Sequence, residues 1–160
     1  MRKEARETVK IKDNVTVALT DVVTGVTRTF SSHNTALDWH FQVLSMWLAG
    51  VNNTGYNAVP APSQIQYDSG SGTPSVSDTG CFSPIPNSIT NLSYAQANTP
   101  QNGTTTLIFQ TPPGVITTTV TGALLRDTSG RAFAHTMFGA PFTPTSNEMI
   151  TTKWEITYSS

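Results

Sequence analysis

Only one stretch of this chain, residues 34–50, repeats apolar side chains at the helical period, so nearly everything else must be strand or loop. Leu37, Phe41, Leu44 and Leu48 form the stripe, and Trp39, Val43, Met46 and Trp47 widen it. Asp38, Gln42 and Ser45 leave a narrow polar strip, so protein is expected to wrap most of this helix. Thr35 is placed to cap the first turn, with the Asp38 carboxylate near the positive end of the helix dipole. Gly50 supplies a left-handed stop. The expected fold is mainly β: an antiparallel sandwich or barrel with one buried α-helix over about residues 35–49.

The strands are written by alternation and punctuation. Val15, Val17 and Leu19 alternate with Thr16, Ala18 and Thr20, and the turn at Thr24 and Gly25 sends the chain back through Val26 to Phe30. Further strands are expected at Ile65–Tyr67, Ser88–Ala97, Thr104–Gln110, Val115–Arg126 and Ala132–Phe138. Gly139 to Ser146 reads as a loop, and Asp127 to Gly130 as a hairpin turn. The last strand sets Ile150, Thr152, Trp154, Ile156 and Tyr158 on one face and Met149, Thr151, Lys153, Glu155 and Thr157 on the other. Short strands at this spacing suit a sandwich or barrel.

At 160 residues the chain has the length of one domain. Charged residues make up 12%, about half the usual share, and Thr, Ser, Asn and Gln carry the polar surface instead. The net charge of −1 conceals a basic start: Arg2, Lys3, Arg6, Lys10 and Lys12 stand against Glu4 and Glu7. The division expected is a basic arm at 1–12, a candidate partner-binding segment, and a β-rich domain at 13–160. No aromatic residue is interleaved with those charges, so nucleic acid is not the expected partner. No apolar run is long enough to span a membrane, and no secretory signal follows the N-terminal charges.

Catalytic and metal-binding patterns are sparse. Cys81 is the single cysteine, which leaves no intrachain disulfide and no cysteine-based zinc site. His33, His40 and His135 are scattered, with His40 read as a core group. The loop from Asp68 to Gly80 is rich in Gly, Ser and Thr but lacks a P-loop lysine. Its two carboxylates, Asp68 and Asp78, are ten residues apart by number and do not form an EF-hand pattern. No G-x-S-x-G elbow marks a hydrolase, although a Ser-His-Asp triad is open on composition. No cofactor is expected and no enzymatic activity.

Several segments together resemble a widespread group of small tailed-bacteriophage virion proteins. His33 and Asn34 precede a helix that closes with Trp47, Leu48, Ala49 and Gly50. The loop Gly70, Ser71, Gly72, Thr73, Pro74 is followed by Ser77, Asp78 and Thr79. The chain ends on Ile150-Thr-Thr-Lys-Trp154-Glu-Ile156-Thr-Tyr158. The group shows an HN pair before a helix ending in LAG, a GTGT-x-P-x-x-SDT loop and a last strand like ITVTWEITF. Asp38, Gly50, Gly70, Gly72, Pro74, Asp78 and Trp154 are thereby expected to be structural. The resemblance implies a non-enzymatic virion protein made in the host cytoplasm, binding itself as a homo-oligomer such as a trimer. It also implies docking on the major capsid protein or on tail and neck proteins, with capsid decoration ranked ahead of a tail, collar or fibre role. Two readings from other classes stand beside it: a carbohydrate-binding adhesin using Tyr56, Tyr67 and Tyr94, and a hydrolase with an unrecognised triad.

Overall fold

The computed structural model describes residues 10–48, 61–97 and 103–159. Strand β1 (Lys10–Asp21) turns into β2 (Thr27–His33), and after Asn34 the same extended segment resumes as β3 (Thr35–Ala36). Helix α1 (Asp38–Leu48) follows. The chain then lays down β4 (Gln64–Asp68), β5 (Thr90–Ala97), β6 (Thr104–Thr111), β7 (Val120–Arg126), β8 (Ala132–Phe142) and β9 (Glu148–Ser159). The sheet order is β2-β1-β9-β6-β5-β4-β7-β8-β3, and each neighbouring pair is antiparallel.

The mainly β expectation holds, and the nine-stranded sheet is nearly closed into a barrel. The closing device is the segment interrupted at Asn34: its first half pairs with β1 at one end of the sheet and its second half with β8 at the other. Hydroxyls stitch the seam. Thr136 Oγ1 donates to Ser32 Oγ (2.9 Å), and Ser32 donates to the Met137 carbonyl (2.8 Å).

The alternating faces predicted for β1 and β9 meet in the interior. Val15, Val17 and Leu19 pack with Ile150, Trp154 and Ile156, with Phe109 of the adjoining β6, and with Tyr67, Leu125 and Phe133 from the opposite wall. Strand β7 is buried on both faces. Ala123 and Leu125 join that core, while Leu124 joins Leu37 and Ala132 in a smaller cluster outside the barrel. A strand buried on both faces needs an outer cover. Here the start of α1 and the loop between β4 and β5 supply it.

Several expectations are corrected. Lys10 and Lys12 are not arm residues: they begin β1, opposite Ser159 and Thr157. Arg2, Lys3, Arg6 and Gly50 lie outside the described residues. Thr35 is not the helix cap, because it is paired with His135 in β3; the first turn of α1 closes instead on the Leu37 carbonyl, which accepts from His40 N (2.9 Å). Leu37, His40 and Val43 are buried, but Phe41 is 39% exposed, so the cover along the described part of α1 is one-sided. Residues 115–119 are irregular rather than strand, and β8 runs on to Phe142 through the expected loop. Tyr67, expected near the surface, is fully buried with its hydroxyl 2.8 Å from Thr152 Oγ1. Tyr94 is exposed, and Tyr56 lies outside the described residues.

Candidate functional site

The end of β4 is where the chain concentrates buried charge. Asp68 is the last residue of that strand and wholly buried. The following glycines let the loop fold back until three backbone amides point at its carboxylate. Gly70 N and Ser83 N donate to Oδ1 (both 2.8 Å), and Phe82 N donates to Oδ2 (2.7 Å). Burial alone would raise the Asp68 pKa. The three amides and His135 outweigh it and hold the carboxyl below its usual range.

Gly70 and Gly72 are there for closeness. A Cβ on Gly70 would lie 2.7 Å from the Phe82 Cβ, and one on Gly72 would lie 2.7 Å from the Phe82 ring. Phe82 in turn packs on the His135 ring, with centroids 4.7 Å apart.

His135, in the middle of β8, sits between two carboxylates. Its Nε2 lies 3.2 Å from Asp68 Oδ2 and its Nδ1 lies 3.0 Å from Asp78 Oδ2. The two carboxylates that a calcium reading would pair are brought to opposite sides of a histidine, and each ring nitrogen is engaged by one of them. Asp78 also accepts from Ser75 N (3.0 Å), and Thr121 Oγ1 donates to the Gly70 carbonyl (2.7 Å), so the loop is fastened along its length. Pro74 is half-buried within it.

Next to this fastening lies a cleft of about 450 Å³. One wall is the first turn of α1 (Asp38, Trp39, Gln42), the second is the loop around Asp78, and the third is the β7–β8 hairpin from Ser129 to Ala132. The hairpin is held by Asp127, whose Oδ1 accepts from Ser129 N (2.8 Å) and Arg131 N (3.0 Å) and whose Oδ2 accepts from Arg131 Nε (2.8 Å). The Arg131 guanidinium lies over the Trp39 indole, 4.4 Å from its centroid. Asp38 N donates to the Val76 carbonyl (2.8 Å) and ties the helix to the loop.

A second polar group lies inside the barrel. Asp13 Oδ2 accepts from Asn34 Nδ2 (2.7 Å) and from Trp154 Nε1 (3.3 Å). Burial pushes the Asp13 carboxyl up to about 6, although both of those bonds pull the other way. Nearby, His40 Nε2 is 2.9 Å from the Tyr158 hydroxyl, and burial lowers His40 to about 4. Burial and then the Asp13 charge raise Tyr158 to about 12. Asp13 Oδ1, Asn34 Oδ1, Trp39 Nε1 and His40 Nδ1 are buried without a partner among the described residues. His40 is thus the core group expected, but only one of its two nitrogens is paired.

Histidines that looked scattered are each engaged: His33 Nδ1 is 2.8 Å from Asn14 Oδ1, His40 bonds Tyr158, and His135 bridges two aspartates. Cys81 is a poor nucleophile, because burial and the adjacent Asp68 charge push its thiol up to about 12. Among the described residues no group of three His, Cys, Asp or Glu side chains could hold a metal ion. No described helix is long and apolar enough to cross a membrane. Set beside known protein families, curated proteins and solved structures, the chain matches none of them.

Proposed function

We propose that this chain is a non-enzymatic structural protein of a tailed-phage virion, an accessory subunit that binds the assembled head as a homo-oligomer. The observation that carries the reading is where the three motif segments go. Asn34 of the HN pair meets Trp154 of the last strand on one buried carboxylate, Asp13. Asp78 of the glycine-loop segment meets His135. Each motif thus contributes an internal fastener, as expected where the motifs record a fold and not a reaction.

The surface favours assembly. Val22, Val23 and Val26 are 56%, 75% and 62% exposed at the β1–β2 turn. Ile89 (45%) and Val115 (43%) are exposed beside the paired strand ends of the same rim. Charge at that rim is engaged internally. Asp21 accepts from Val23 N and Thr24 N, and Arg28 grips Glu148 with two nitrogens. A rim whose charges are already bonded, with exposed valines, suits contact with another copy or with the capsid surface.

Immunogold electron microscopy on intact particles tests the proposal. Gold spread over heads is the expected result. Gold confined to the tail or neck would move the subunit there, and absence of the chain from purified particles by mass spectrometry would overturn the virion reading. Light scattering on the purified chain tests self-association, and a strict monomer would remove the homo-oligomer.

A further inference from the structure

We propose that the cleft between α1, the β4–β5 loop and the β7–β8 hairpin is a binding site for a neutral saccharide. The inference goes beyond the virion assignment and does not depend on it. The volume, about 450 Å³, falls within the usual range for small-ligand sites.

Its walls are unusually well fixed. The loop is fastened by His135 and Asp68, the hairpin by Asp127, and Trp39 by Arg131 on its face and by the edge of Phe133 (centroids 6.4 Å apart). A site fixed before binding loses little entropy on taking a ligand.

The chemistry of the lining selects the class. Arg131 commits only Nε to Asp127, which leaves its terminal nitrogens to donate. Asp78 commits only Oδ2 to His135 and Ser75, which leaves Oδ1 to accept. Asp38 and Gln42 are exposed and add an acceptor and an amide with both capacities. Donors and acceptors in alternation, beside the part of the Trp39 ring that Arg131 leaves uncovered, match the vicinal hydroxyls of a sugar ring. Charge narrows the class further. Asp38 and Asp78 repel acidic sugars, and Arg131 repels a cation, so the ligand is uncharged.

The test is an array carrying neutral glycans together with sialylated and uronic-acid glycans, with each hit then titrated calorimetrically against the full-length chain. Neutral glycans are expected to bind. Asp38→Asn and Arg131→Ala should each weaken binding by about tenfold, the loss of one well-made hydrogen bond; the thermal midpoint should stay unchanged for Asp38→Asn and fall for Arg131→Ala, which also strips Asp127 of its ion-pair partner. Trp39→Phe should weaken binding while keeping the ring contact with Phe133. Binding confined to acidic glycans, no binding at about 10 mM of any neutral hit candidate, or equal binding by all three variants would overturn the assignment.

Discussion

Replacing Asp13 by asparagine should make the protein more stable at neutral pH and leave it almost unchanged in acid. Asp13 is buried to 3% exposure, and its carboxyl is pushed from 3.8 to about 6 in the fold. A carboxyl raised on folding contributes stability that is complete below the unfolded value and is lost as pH rises through the folded one. The window is therefore pH 3.8 to about 6. A shift of about two units corresponds to ~3 kcal/mol. In a chain of this size that is a change in melting temperature of roughly 6–12 °C.

The geometry explains why asparagine should serve. Asp13 Oδ1 and Asn34 Oδ1 are both unpartnered, on side chains already joined through Oδ2 and Nδ2. One proton on the Asp13 carboxyl, or one amide hydrogen on the side chain that replaces it, can satisfy the second oxygen. The wild-type pH curve alone would hide the effect. His40 is lowered from 6.5 to about 4, so it contributes stability that is lost as pH falls over nearly the same interval. The two slopes oppose each other. Urea unfolding of wild type and Asp13→Asn at pH values from 4 to 7.5, taken as a difference, cancels the His40 contribution. The difference should grow by ~3 kcal/mol toward pH 7. A difference flat to within about 0.5 kcal/mol would show that Asp13 ionises as it does in water and would refute the argument.

Three other perturbations test the fasteners. His135→Leu leaves the buried Asp68 and the partly exposed Asp78 without their shared partner, and should cost about 1–3 kcal/mol in urea unfolding and open the loop at 69–83 to protease; unchanged cleavage would deny its role. Gly72→Ala drives a methyl against the Phe82 ring and should destabilise by about 1–3 kcal/mol, with recovery when Phe82→Ala is added; purely additive losses would break the link. Deleting residues 1–12 should lower the melting temperature relative to deleting 1–9, because residues 10–12 pair with 157–159; equal midpoints would mean that this end of β1 contributes nothing.

What the sequence made legible follows the range of the forces involved. Alternation in β1 and β9, the Gly25 turn with its positive φ of 74° and the Asp127 hairpin are all local, and all are found. Errors came where distant chain intervened. Thr35 has the makings of a cap, but β8, a hundred residues on by number, takes its backbone into the sheet. Lys10 and Lys12 read as a solvated arm because their neighbours are charged, yet β9 pairs with them. The Asp68–His135–Asp78 fastening joins residues 67 and 57 positions apart, and no local pattern marks such a pair. Even so, the motif segments include Asp78 and Trp154, each of which bonds a buried partner, His135 and Asp13. The Trp39–Arg131 cleft was invisible, because its three walls come from separate parts of the chain.

The place of β1 in the sheet governs how the chain can fold as it is made. β1 lies between β2 and β9, and Asp13 meets Trp154 across 141 residues. At about 5–20 residues per second, a ribosome takes roughly 7–28 s to span that gap. For that interval the edge of β1 that β9 pairs stays open, and the apolar face of the hairpin gains its opposite wall only piecemeal, as β4, β7 and β8 emerge. Ring closure waits as well, since β3 has no partner until β8 emerges. Folding is thus a late event triggered by distal strands, and nascent chains at high concentration are at their most prone to mispair just before it.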